Sequence, residues 1–305
     1  MLKIIFITAN HSINYYLLEK LDKQILAPYL NMSSLGYRLR YLSHRFGLYI
    51  NRLNKLNPEI FELDPDVIFI LESSLYYIES IAEIRQVCPK ARLIYLYSNI
   101  VKPRSYIDPN LLDQFDCEKY SWDKNDCLKY GMNHLKPFYV DSLVLSSDIP
   151  FMYDAIFIGM DKGRYSLLKR IEAYLNAYGM RTYFHIVADN IFSRYKRIDY
   201  KRQISYDRYL EYMNSSKCII DIVQDGQCGT TMRTFEAIFN NRKLITNNKS
   251  IKDYDFYNAN NIFILDESNL DERLLDFMDM PIIPITNEVI NAYNFDSWLR
   301  QFNLF

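Results

Sequence analysis

Short apolar runs separated by amphipathic stretches recur along the chain. In the first half the runs fall at residues 3–8, 66–71 and 92–97, with shorter ones at 119–121 and 137–140. Each suits a strand buried on both faces, and the helical-period stretches between them imply parallel βαβ units. The pattern then restarts. A run at 155–158 ends at Gly159, a helix is predicted from about 165 to 178 with Gly179 as its stop, and a strand follows at 182–187. A helix at 206–214, a strand at 218–223, a loop, a helix at 231–240 and a strand at 243–246 complete a second set. The pattern predicts an α/β chain of two Rossmann-like, doubly wound domains.

The polar, turn-rich stretch 141–150 reads as the interdomain connection, giving domains 1–148 and 149–286. The tail 287–305 carries Val289, Ile290, Tyr293, Phe295, Trp298, Leu299 and Phe302 at near-helical spacing. It must bury an apolar face, and the expectation is that it returns to pack on the first domain. The length of 305 residues fits two domains, and 49% hydrophobic with 24% charged residues argues against long disordered tails.

A net charge of −1 supplies no global field toward nucleic acid or a membrane, so any such contact must be local. The five cysteines, Cys88, Cys117, Cys127, Cys218 and Cys228, form no CxxC pair and are odd in number, which fits a reducing cytosol better than a disulfide framework. Residues 1–8 read as a first buried strand, not a signal sequence, and no run approaches the ~18 apolar residues of a membrane span.

Between the strand 218–223 and the helix 231–240 lies a small-residue loop. Gly226 and Gly229 let backbone N–H groups approach a ligand, Thr230 and Thr231 supply hydroxyls, and the helix presents its positive end. A diphosphate suits that arrangement, with Arg233 as its cation. Glu236 follows about one turn on and leans back toward the helix start, where its carboxylate can accept from a sugar hydroxyl. Neither the dinucleotide nor the Walker glycine pattern is present.

The stretch 154–164 and the stretch 224–247 resemble glycosyltransferases of the GT-B fold, especially the bacterial enzymes of lipopolysaccharide and capsular polysaccharide synthesis. The resemblance implies two Rossmann-like domains facing a cleft, with a nucleoside-diphosphate sugar bound by the second and an acceptor by the first. It assigns Glu236 to the ribose, Gln227, Gly229, Thr230 and Thr231 to the pyrophosphate turn, and Gly159 to the opening strand's end. Arg233 with Lys162 or Arg164 would neutralise phosphate, and the loop holding Gln203 and Ser205 would read the base. The chain departs from the commonest pattern at Cys228, where a second glutamate is usual.

On the first domain, His11 follows the first strand as a candidate general base, with Glu72 as its rival and Asn99 nearby in the same class of position. Asp64 with Asp66 and Asp253 with Asp255 mimic a metal clamp, but the first pair starts a strand and the second lies in a Tyr/Asn-rich loop, so no metal and no cofactor are expected. Residues 37–46 mix aromatics with cations, fitting either an anionic membrane surface with a lipid-linked acceptor or a helix packed on the first sheet. The basic cluster at Arg194, Lys196, Arg197, Lys201 and Arg202 reads as a solvated face, not a nucleic-acid site. The expected protein is a metal-independent hexosyltransferase-type enzyme of the cytoplasm, with a peripheral place at the inner membrane face left open. Its expected partners are a nucleotide-sugar donor and a glycan or lipid-linked acceptor. A sugar-nucleotide epimerase of the same fold and a non-catalytic sugar-nucleotide binder remain alternatives.

Overall fold

The computed structural model describes residues 2–8, 13–29, 34–50, 53–71, 77–101, 107–140, 149–189, 193–224, 226–266 and 270–304. They form two compact units, Met1–Lys136 and Pro137–Phe305. In the first, the strands are β1 (Ile4–Ile7), β2 (Ile25–Leu26), β3 (Val67–Leu71), β4 (Arg92–Tyr97), β5 (Cys117–Ser121) and β6 (Asn133–His134). All pair in parallel, in the order β2-β1-β3-β4-β5-β6. Helices α1 (Ile13–Lys20), α2 (Ser34–Arg45), α3 (Glu59–Glu62), α4 (Ile78–Val87) and α5 (Lys124–Tyr130) connect them. Strand β3 is buried at every position and β4 at all but its first, as near-continuous apolar runs require in a sheet covered on both faces.

The second unit repeats the design with β7 (Tyr153–Met160), β8 (Thr182–Val187), β9 (Ser216–Asp221), β10 (Lys243–Thr246) and β11 (Ile262–Ile264). The sheet is again all parallel, in the order β11-β10-β9-β7-β8. Its helices are α6 (Tyr165–Ala177), α7 (Tyr206–Asn214), α8 (Met232–Phe239), α9 (Glu272–Asp279), α10 (Asn287–Ala292) and α11 (Phe295–Arg300). Gly179 ends α6 as predicted, at φ 76°, with Met180 N–H closing back on the Leu175 carbonyl at 3.1 Å. Because β8 lies on one side of β7 and β9 on the other, the carboxyl ends of β7 and β9 flank the point where the winding reverses. Open α/β sheets bind ligands at such points.

Three expectations differ from the structure. Residues 137–140 are buried but join no sheet; Tyr139 N–H donates to the Tyr293 carbonyl at 2.7 Å, and Phe138 packs against Phe295 and Trp298. The compact units divide at 136/137, whereas the sequence reading divided the chain at 148/149; residues 141–148 lie outside the described residues. Residues 287–305 belong to the second unit, where Tyr293 meets Phe235, Phe239 and Phe256, although the reading returned them to the first.

Candidate functional site

The carboxyl end of β9 is a carboxylate, Asp221, with no exposure at all. A buried carboxylate needs donors, and three come from the start of α8. Its Oδ2 accepts from the hydroxyls of Thr231 (2.6 Å) and Thr234 (3.3 Å), and its Oδ1 from Arg233 Nη1 (3.1 Å). Thr231 stands at the N-cap of α8 but spends its hydroxyl on Asp221, so no side chain caps the helix. The positive end of the helix dipole is therefore uncovered by any side-chain oxygen of its own cap.

Arg233 reaches from α8 across to β7. Its Nε donates to the Ile158 carbonyl at 3.1 Å, its guanidinium lies 5.5 Å from the Phe157 ring centre, and the side chain retains 22% exposure. Burial works against its charge, while Asp221, Tyr209 and Glu236 favour it. Gly159 makes this position available: a β-carbon there would stand 2.3 Å from Arg233 Nη2. Gly159 and Arg233 thus lie side by side at the end of β7.

The loop before α8 is held by its own side chains. Gly226, at φ 80°, forms a turn closed by Gln227 N–H on the Gln224 carbonyl at 3.1 Å. Gln227 Nε2 donates to the Gly229 carbonyl (3.3 Å), and Thr230 is buried with its hydroxyl 3.3 Å from that of Tyr254. Asn248, just past β10, donates to the carbonyls of Cys228 (3.3 Å) and Gly229 (3.4 Å), while Asn247 pairs with both backbone groups of Val223. With the carbonyls turned toward these amides, the loop's shape is fixed without a ligand.

Arg164 requires a correction. The resemblance implies a phosphate as its partner, but it is buried and spends its guanidinium on three carbonyls, Asp161 at 3.0 Å with Ile222 and Met160. It clamps the ends of β7 and β9. Burial, reinforced by neighbouring Arg233, brings its pKa down to about 10, which leaves it charged near neutrality. Lys162 has an exposed side chain on a left-handed backbone (φ 46°), and its amide donates to Asp189 at 2.8 Å.

Glu236 also stands differently from the expectation. Only 1% of it is exposed, and its Oε1 accepts from the Tyr206 hydroxyl and its Oε2 from the Tyr209 hydroxyl at 2.5 Å. Burial raises its pKa above the ordinary value, against the pull of both tyrosines and Arg233. As built, no oxygen of Glu236 faces solvent for a ribose. Of the proposed base-reading pair, Ser205 caps α7 by accepting from Arg208 N–H at 3.2 Å, and Gln203 is exposed. His185 on β8 is a satisfied core residue: its two ring nitrogens meet Tyr183 Oη (3.0 Å) and the Arg202 carbonyl (2.7 Å).

His11 and Glu72 lie outside the described residues. They follow β1 and β3, the adjacent strands at the winding reversal of the first sheet. Among the described residues, no group of three or more His, Cys, Asp or Glu is placed to hold a metal ion, and no helix is long and apolar enough to cross a membrane. Sequence reading missed Asp221, the Tyr206/Tyr209 pair and the Asn247/Asn248 pair. An aspartate inside the apolar run Cys218–Val223 was the available signal, since such a group is almost never buried without partners.

No protein-family model matches the chain, and no curated protein sequence matches it. Solved structures do. An α-glucosyltransferase in complex with UDP and a 13-mer DNA containing a central A:G mismatch is 12% identical, with a TM-score of 0.60 over 99% of this chain and 98% of that one. The catalytic domain of starch synthase IV from Arabidopsis thaliana, bound to ADP and acarbose, is 9% identical, with a TM-score of 0.50 over 90% of this chain and 77% of that one. The S. aureus MnaA–UDP co-structure is 10% identical, with a TM-score of 0.50 over 99% and 95%. At such identities the likeness shows the fold: a two-domain, Rossmann-like α/β chain of the GT-B type.

Proposed function

We propose that the chain is a glycosyltransferase that moves a sugar from a nucleoside-diphosphate sugar to a glycan or lipid-linked acceptor in cell-surface polysaccharide synthesis. The observation that carries this reading is Arg233, mostly buried but still 22% exposed between the ends of β7 and β9 beside the uncapped start of α8. A cation and helix amides converging at a winding reversal suit a diphosphate. The three solved structures of this fold described above hold UDP or ADP. As the glycosidic bond breaks, negative charge grows on the β-phosphate, and fixed donors stabilise it more in the transition state than in the ground state. Arg233 and the helix end supply that neutralisation without a metal ion, so activity survives EDTA. A thermal-shift screen of UDP-, ADP-, GDP-, CMP- and dTDP-sugars tests the reading: one nucleotide class raises the melting temperature of wild type and fails to do so for Arg233→Ala. Response to no nucleotide overturns it. Epimerised product from donor alone would replace transfer by epimerisation.

The peripheral membrane location has its own support. Helix α2 and the residue after it expose Leu35 (64%), Leu39 (46%), Leu42 (45%) and Phe46 (72%) along one helical stripe. No Asp or Glu occurs between Asp22 and Glu59, whereas Lys23, Arg38, Arg40, Arg45, Arg52 and Lys55 do. Apolar exposure within a carboxylate-free basic segment suits an anionic bilayer surface. The protein then co-sediments with phosphatidylglycerol vesicles and not with neutral ones, and Leu39→Glu with Leu42→Glu abolishes it; equal sedimentation with both vesicle types overturns this part.

A further inference from the structure

The two oxygens of Glu236 are covered by unequal partners. Tyr209, on Oε2, is itself buried one turn into α7, and its hydroxyl also lies 3.7 Å from Met213 Sδ. Tyr206, on Oε1, is the first residue of α7, only partly buried, and follows the exposed stretch 201–203 and the cap Ser205. First-turn residues have no intrahelical bond on their own amides and move at low cost. The ring pair is stacked at 5.6 Å, so Tyr206 forms the outer layer and Tyr209 the inner one.

We propose that Tyr206 is a latch on the nucleotide site: its hydroxyl holds the Glu236 oxygen that a ribose hydroxyl takes over when nucleotide binds, and the ring swings out in exchange. This rests on the nucleotide reading given above. The exchange is chemically even, because a phenol and a sugar alcohol are both neutral O–H donors. The buried carboxylate keeps two donors throughout, and the released phenol is hydrated by water instead of a buried charge being stranded. Displacing Tyr209 instead would open a fully packed position, so only the outer oxygen is exchangeable. The latch also joins two predicted parts of the site, since the base-reading loop ends at the residue that covers the ribose ligand.

A latch lowers apparent affinity by the fraction of molecules that are open. Removing the hydroxyl while keeping the ring, Tyr206→Phe, should therefore tighten nucleotide binding by about tenfold, the scale of one hydrogen bond to a charged group. The same variant melts at a lower temperature without ligand, because Oε1 loses its donor. Tyr209→Phe melts lower too but binds no tighter. Calorimetric titration of wild type and both variants with UDP, ADP, GDP, CMP and dTDP decides. Tighter binding by Tyr206→Phe alone, or binding by it where wild type shows none, supports the latch. Wild-type binding that Tyr206→Phe leaves equal or weakens, or that Tyr209→Phe tightens as much, overturns the latch and leaves the nucleotide reading standing. No binding by any of the three overturns both.

Discussion

Arg164 and Arg233 stand at the same winding reversal, yet they do different work. Arg164 is buried against three carbonyls and joins two strand ends. Arg233 meets one carbonyl and one carboxylate and keeps 22% exposure. A guanidinium has five N–H donors, so what separates a structural arginine from a binding one is which acceptors surround it and whether an anion can approach. By that measure Arg164 is fully occupied by backbone carbonyls, whereas Arg233 keeps an exposed edge.

Substitutions at the two arginines should have separate outcomes. The largest effect is expected from Arg233→Ala, which should lower turnover by about two to three orders of magnitude in a transfer assay with a responding donor. Next comes Arg164→Ala, which strands buried carbonyls and should cost about 3 kcal/mol in urea unfolding. If Arg164→Ala spared stability but abolished nucleotide binding, the assignment would be reversed. Gly159→Ala sharpens the contrast further. The new methyl would stand 2.3 Å from Arg233 Nη2 and displace the guanidinium, so nucleotide binding should weaken by about tenfold, or ~1.4 kcal/mol, in calorimetry.

The smallest effect concerns pH. Around Glu236 stand Tyr206, Tyr209, Arg233 and Asp221, and burial outweighs the donors, so its folded pKa lies above the ordinary 4.5. Between those two values the folded chain holds more protons than the unfolded one, so the associated stability is complete below the unfolded pKa and falls as pH rises through the folded one. Urea midpoints of Glu236→Gln should therefore gain on wild type as pH rises through that window. A gap that stays constant would mean Glu236 is no harder to ionise in the folded chain.

Much of this was legible in the sequence, and the gaps have physical causes. Buried parallel strands announce themselves as apolar runs, and Gly179 announces a helix end, because both signals are local. The run 137–140 misled because an apolar run reports burial, not pairing, and these residues are buried against α8 and the tail. Gly159 and Arg233, read as parts of one strand-end site, are close in space, because the α/β fold brings strand ends together. That Arg164 would meet carbonyls, and Glu236 two tyrosines 27 and 30 residues earlier, was not legible. A charged residue type states its need for partners but does not name them.

The hydrogen bond between Tyr139 N–H and the Tyr293 carbonyl joins the point where the chain enters the second unit to the helices with which it ends. A break at 136/137 would therefore leave residues 137–140 still fastened to the helical stretch around Tyr293. The half of the molecule that carries the candidate nucleotide site is therefore the half best suited to being produced and titrated by itself.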